Sequence, residues 1–202
     1  KVARGEIKRL IVNMPPRHGK SQLVSIFYPA WFLGRNPDKK VMMVSHTTDL
    51  AVDFGRKVRN LISTDAYKAV FPTVSLAIDS KSAGRWNTNH KGEYFACGIG
   101  SSIAGRGADL LLVDDPHSEQ DALSPDALER AYEWYTSGPR QRLQPGGKIV
   151  LVMTRWSTKD LTAKLIANQK EPKSDQWHVV EFPALMDHGP VWPEYWTTDE
   201  LE

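Results

Sequence analysis

The chain has 202 residues, 41% hydrophobic and 25% charged, a composition that excludes a disordered tail and a fibrous repeat and provides enough apolar surface for a sizeable core. Its 26 Lys and Arg against 24 Asp and Glu leave a net charge of +2, so a polybasic mode of nucleic-acid binding is excluded and any such contact needs a local patch. The single cysteine, Cys97, excludes a disulfide framework and reads as a small buried residue rather than a nucleophile.

No apolar run approaches the roughly 18 residues of a membrane helix, so a soluble protein is expected. The first residues lack the apolar stretch of a signal peptide, and a chain that opens on Lys1 reads as a fragment of something longer. Lys8 to Met14 puts Leu10, Ile11 and Val12 in a continuous apolar run, as in a parallel strand buried on both faces, and Pro15 and Pro16 end it. From Gly19 to about Leu33 the residues Leu23, Ile26, Phe27, Ala30 and Trp31 recur at helical spacing, with a kink expected near Pro29. A second strand, Lys40 to Ser45, leads into a helix from Thr48 to Ile62 with Ala51, Phe54, Val58 and Leu61 on one side. Residues 84–87 and 93–96 flank the turn-like Asn89 to Gly92 and predict an antiparallel hairpin.

Leu110 to Val113 predicts a third buried strand, Pro125 to Ser137 a helix, Lys148 to Met153 a fourth strand, Thr158 to Ala167 a helix, and Trp177 to Phe182 a fifth strand. Beyond it, Pro183, Gly189, Pro190 and Pro193 break any regular pattern. Alternating strands and helices of this kind imply an α/β domain with a mostly parallel sheet and helices on both faces.

Met14-Pro15-Pro16-Arg17-His18-Gly19-Lys20-Ser21 stands where a strand ends and a helix begins. In a phosphate loop, backbone N–H groups cradle phosphate oxygens, the lysine reaches the β and γ phosphates, and the hydroxyl binds Mg²⁺. Gly19, Lys20 and Ser21 match that pattern, whereas Met14 replaces its first glycine, so the opening turn must be made differently. Pro16, Arg17, His18, Gly19, Lys20, Ser21 and Gln22 are therefore the candidate nucleotide-binding residues, with His18 more a spacer than a catalyst. Such a loop needs an acid on a second buried strand, and Leu110 to Asp115 supplies two at the strand's C-terminal end, where ligands of open α/β sheets bind. Asp114 and Ser21 are the candidate Mg²⁺ partners. Asp115 is the candidate that activates the attacking water, although an aspartate is one methylene shorter than the glutamate common in that role.

These residues resemble the ATPase domain of the large subunit of tailed-phage DNA-packaging terminases. The resemblance rests on Pro15 to Ser21 as Walker A, Val113 to His117 as Walker B, Lys148 to Trp156 as the coupling motif, Ser101 to Asp109 as the segment before Walker B, and Val191 to Glu194 as the stretch leading toward a nuclease domain. It implies a P-loop NTPase of the additional-strand (ASCE) type over residues 1–183, with a β-hairpin insertion, and a linker start in 184–202. It further implies ATP and Mg²⁺ as cofactors and hydrolysis that drives double-stranded DNA into a procapsid. A portal or procapsid, a small terminase subunit, a homo-oligomeric ring and the cytoplasm of an infected bacterium follow as partners and setting, with no membrane. The isolated domain is expected to be monomeric, and nuclease activity is not expected in this segment.

Three roles stay open at the level of sequence. Thr154, at a strand end beside Asp114, is either a sensor of the γ phosphate or an ordinary strand-ending residue. An arginine that stabilises phosphoryl transfer is either Arg17, in cis, or Arg106 on Gly105-Arg106-Gly107, which the resemblance implies acts in trans on a neighbouring subunit. Arg56, Lys57 and Arg59, or Arg140 and Arg142, either contact DNA phosphates or merely solvate their surface. The competing functional readings are a helicase-like superfamily-two motor fragment and a slow nucleotide-binding switch.

Overall fold

The apolar runs become strands β1 (Arg9–Asn13), β2 (Lys40–Ser45), β3 (Arg85–Asn87), β4 (Glu93–Gly98), β5 (Ala108–Asp114), β6 (Leu143–Met153) and β7 (His178–Glu181) in the computed structural model, which describes residues 1–80 and 82–202. They form one sheet in the order β3-β4-β2-β5-β6-β1-β7, parallel throughout except for β3. The strand of the phosphate loop, β1, and the strand of the two acids, β5, are thus separated by β6, the additional strand. The predicted hairpin joins the main sheet, where β4 pairs in parallel with β2 and leaves β3 at the edge.

Register aligns the strand ends: Ser45 lies beside Asp114, Asp114 beside Val152, and Asn13 beside Met153. Met14, His46, Asp115 and Thr154 therefore leave the sheet at one edge.

The helices are α1 (Tyr28–Arg35), α2 (Thr48–Ile62), α3 (Asp65–Val70), α4 (Pro125–Ser137), α5 (Leu161–Asn168) and α6 (Thr198–Leu201). Alternation along β5 divides the core. Leu110 and Leu112 join Phe32, Leu33, Val58 and Trp86 on one face, while Leu111 and Val113 join Met42, Ile149, Tyr135 and Leu165 on the other. Gly55 of α2 permits the close approach to the hairpin: a Cβ there would lie 2.5 Å from the Ala83 carbonyl oxygen, and the Gly55 carbonyl accepts from Trp86 Nε1 at 3.2 Å.

Several boundaries differ from the sequence reading for identifiable reasons. Pro29 lacks the N–H of a regular helical bond, and the irregularity lies one turn upstream as a π-helical segment, Gln22–Phe27, in which Tyr28 N–H reaches back to the Leu23 carbonyl. The extra residue in that turn rotates the face. Ile26 and Ala30 are buried as expected, but Leu23, Phe27 and Trp31 are exposed, and Phe32 and Leu33 fill the core instead.

Helix α5 starts at Leu161 rather than Thr158 because the Asp160 side chain caps it, accepting from Ala163 N at 3.0 Å. Strand β6 begins five residues earlier than its apolar run, carrying Gly146 at φ +76°. Helix α3, capped by Thr64, is too short for a periodic signal. Residues after Pro183 are not patternless: β8 (Leu185–Met186) and β9 (Gly189–Pro190) pair antiparallel, and α6 follows. Cys97 is buried, and burial pushes its thiol up to about 12, which fits the non-nucleophilic reading. Among the described residues no helix is long and apolar enough to cross a membrane.

Leu112, at the centre of β5 and 1% exposed, reports on how tightly the helices pack on the sheet. Leu112→Ala is expected to lower the unfolding free energy by about 2–5 kcal/mol in a urea titration. A loss below about 1 kcal/mol would contradict a close-packed sheet face.

Candidate active site

Residues 14–19 connect β1 to the helical turns that begin at Lys20 and run through the π segment into α1. In place of a first glycine, the loop is anchored at Met14, whose N–H donates to the Met153 carbonyl at 3.2 Å and whose carbonyl accepts from Thr154 Oγ1 at 3.4 Å. The chain then turns at Arg17 (φ +59°) and Gly19 (φ +79°), and the Pro16 carbonyl lies 2.8 Å from His18 Nδ1. His18 is buried and stacks on Trp196 with ring centroids 5.8 Å apart, so the segment after β9 packs back onto the loop. Arg17, in the loop, and Gln22, at the start of the π segment, are exposed.

The two acids occupy different environments. Asp114 is 1% exposed, beneath the first turns of the helix, where its carboxylate accepts from the Ser25 hydroxyl and the Ser21 hydroxyl helps to lower its pKa. Burial, reinforced by the neighbouring Asp115 charge, pushes Asp114 up to about 6 against the opposing pull of Ser25, Ser21 and Lys20. Asp115 stands just past the strand at φ +39°, a left-handed conformation that costs a side-chain-bearing residue about 1–2 kcal/mol.

Four contacts hold Asp115, besides one from the His46 ring. Its N–H donates to the Val152 carbonyl at 3.0 Å, and its carbonyl accepts from His46 N at 3.2 Å. Its Oδ1 accepts from Thr154 N at 2.7 Å, and its Oδ2 pairs with Lys20 Nζ at 2.8 Å.

The structure thus brings Lys20, Ser21, Asp114, Asp115 and Thr154 together at one edge of the sheet. It places Arg106 elsewhere. The segment before β5 must return to the far edge of a parallel sheet, and there Arg106 pairs with Glu93 at 2.9 Å and lies over the Phe95 ring. Of the basic groups considered for DNA, Arg56 and Lys57 pair with Asp53, and Arg140 holds Asp175 at 2.6 Å, with Arg9 on the same carboxylate at 2.9 Å.

Three contributors escaped the sequence reading. Ser25 lies one helical turn from Ser21, an i, i+4 spacing that places both hydroxyls on one face. His46 is the first residue past a buried strand at the ligand-binding edge, and its ring Nδ1 lies 3.1 Å from the Asp115 carbonyl. His117 accepts from Leu161 N through Nε2 at 3.0 Å, tying the acid strand's end to α5, and burial keeps this ring below its usual pKa.

The donor set fits magnesium. Among the described residues no group of three or more His, Cys, Asp or Glu is placed to hold a metal alone. A serine hydroxyl beside one buried carboxylate is the hard-oxygen pair that Mg²⁺ takes when water and phosphates complete its shell.

A central parallel sheet with an additional strand between a phosphate loop and a pair of strand-end acids defines a P-loop NTPase domain of the additional-strand type. The family model described as "Terminase large subunit, T4likevirus-type, N-terminal" matches residues 11–187, and the chain belongs to that family. No curated protein matches it. Among solved structures it is similar to the large terminase of bacteriophage HK97, with 13% identity and a TM-score of 0.56 over 91% of this chain and 37% of that one. It is also similar to the large terminase ATPase domain of Thermus phage P74-26, solved as an arginine-to-alanine variant, with 16% identity and a TM-score of 0.56 over 95% of this chain and 80% of that one. A third similar structure is the large terminase of a thermophilic bacteriophage in complex with ADP, with 13% identity and a TM-score of 0.52 over 94% of this chain and 44% of that one. The chain therefore spans less than half the length of two of these three.

Asp114 offers a test of the site's electrostatics. Its pKa is raised on folding, so its contribution to stability is full below its unfolded pKa of about 4 and is lost as pH rises through about 6. Asp114→Asn, neutral at every pH, should therefore gain on the wild type in metal-free buffer as pH is raised from about 5 to 8. Thermal melts at constant ionic strength read this directly, and a gap that does not widen with pH would show that the buried carboxylate is not strained.

Proposed function

We propose that this chain hydrolyses ATP at the phosphate loop and, as part of a large terminase, uses the energy to move double-stranded DNA into a procapsid. The observation that carries the reading is the 2.8 Å pair between Lys20 Nζ and Asp115 Oδ2, which joins the loop to the acid strand. Without nucleotide the amine neutralises the carboxylate. When phosphates enter the cradle of backbone N–H groups, they compete for the amine, and Asp115 is released to accept a proton from the attacking water. Ser21 and Asp114 would hold Mg²⁺, which when bound would supply positive charge beside the phosphate oxygens. Thr154 holds Asp115 Oδ1 through its N–H and Met14 through its hydroxyl, so it links the acid to the loop that senses the ligand.

Pro16, Arg17, His18, Gly19 and Gln22 complete the nucleotide-binding loop in this reading, and residues 1–183 form the ATPase unit, with 184–202 leading onward. Arg17, exposed on the loop, would serve its own site. Arg106, on the opposite sheet edge, can serve only the site of a neighbouring subunit. Assembly into a ring on a portal, with a small terminase subunit and in the cytoplasm of an infected bacterium, agrees with the family. An isolated domain lacking its neighbour's arginine would be a slow, monomeric enzyme.

Lys20→Ala is expected to abolish steady-state ATP hydrolysis without changing the circular dichroism of the fold, since Lys20 belongs to neither apolar core cluster. Asp115→Asn should still bind ATP but turn it over slowly, by a factor on the order of 10²–10⁴. Retained turnover in Lys20→Ala would remove the phosphate-loop assignment. For the arginine, mixed full-length assemblies of Arg106→Ala and Lys20→Ala subunits are expected to regain turnover that neither variant has alone. Mixtures that assemble yet stay inactive would leave Arg17, acting in cis, as the finger.

A further inference from the structure

Asp115 has to keep its carboxylate aimed at the phosphate loop from a backbone conformation that its own side chain disfavours. Two side chains grip it: Lys20 at the carboxylate and His46 at the backbone carbonyl. In the proposed reaction Lys20 turns to the phosphates, so its hold on Asp115 is spent at the moment the acid is needed. His46 has no such second task. It follows the last residue of β2, whose Ser45 is in register with Asp114, so its backbone N–H reaches the Asp115 carbonyl at 3.2 Å as a continuation of the ladder. The ring then curls back, and Nδ1 donates to that same oxygen from 3.1 Å. A carbonyl with two lone pairs accepts both bonds, and together they fix the peptide plane that follows Asp115.

We propose that His46 is a positioning residue for hydrolysis: by doubly holding the Asp115 carbonyl it keeps the left-handed turn, and hence the carboxylate, in place once Lys20 has moved to the nucleotide. This inference rests on Asp115 being the group that activates water. The role is one of geometry, so it should appear in turnover and not in nucleotide affinity. Misplacing a reacting group by about 1 Å costs on the order of 10²-fold in rate.

The test compares steady-state ATP hydrolysis by the whole chain carrying His46→Ala, His46→Asn or His46→Gln, with Asp115→Asn beside them. His46→Ala is expected to lower kcat by roughly 10- to 100-fold with KM for ATP within about twofold of the wild type. His46→Asn should recover most of that loss, because its amide nitrogen stands where Nδ1 stood and donates a hydrogen bond. His46→Gln carries its donor one bond further out and should stay slow. If the alanine variant does not fold, the Asn and Gln variants decide, since both keep volume and polarity.

Wild-type kcat in His46→Ala, a raised KM with unchanged kcat, or equal rescue by Asn and Gln would each overturn the inference. Undiminished turnover in Asp115→Asn would overturn the reading of Asp115 as base and this inference with it. Loss of turnover there alongside a normal His46→Ala would overturn the inference alone.

Discussion

Two adjacent carboxylates at the end of a strand buried on both faces are the constraint on which the rest of the site depends. Side chains alternate along a strand, so Asp114 and Asp115 cannot point the same way while the strand runs straight. Asp114 stays in register with Ser45 and Val152 and faces the helix, where serine hydroxyls and the Lys20 charge oppose its burial. Asp115 leaves the strand in a left-handed turn that brings its carboxylate to Lys20. Lys20 and Ser21 are themselves consecutive, so one step along the helix and one step along the strand bring two neighbouring residues to two neighbouring acids. The pairing divides the chemistry: the buried acid, with a hydroxyl beside it, suits a cation, and the more accessible acid suits water.

The electrostatics make nucleotide entry an exchange of partners. Burial raises the cost of ionising Asp114, and a divalent cation would offer the charge it lacks. Asp115 has a cation already, which in the proposed reaction it would lose to the phosphates. Ligand binding would then replace the internal partners of both acids. Part of the free energy of desolvating the acid pair is offset in the fold by Ser25, Ser21 and Lys20.

Most of this site was legible in the sequence because phosphate chemistry needs particular residue types at a strand-helix junction and at a second strand's end. Those requirements are local, and the strands that carry them are continuous apolar runs. What escaped is what depends on register between distant strands. Nothing near His46 in sequence shows that Ser45 will stand beside Asp114. The exposure of Leu23, Phe27 and Trp31 depends on a π turn answering Pro29, where a regular helix would have buried that stripe. The hairpin was visible as a hairpin, but its membership of the main sheet comes from the β2–β4 register, which no local pattern encodes.

The arginines show the same division between local and non-local information. In a parallel sheet every strand's C-terminal end lies at one edge, so any segment that immediately precedes a strand lies at the other. Arg106, two residues before β5, is therefore excluded from its own phosphate loop by topology alone. Its partner there, Glu93, does not lock it in place. Arg85 approaches the same carboxylate at 3.4 Å, so when Arg106 leaves, Glu93 keeps a counter-charge. The full cost of breaking a buried pair, about 3–5 kcal/mol, arises when a charge is left uncompensated. Here the loss is closer to that of a surface pair, about 1 kcal/mol or less. A phosphoryl group losing its bond offers a guanidinium far more than that, by the 10³–10⁵ in rate typical of such arginines. The ion pair seen in one chain is thus compatible with a residue that holds Glu93 when alone and exchanges it for a neighbour's phosphate when docked.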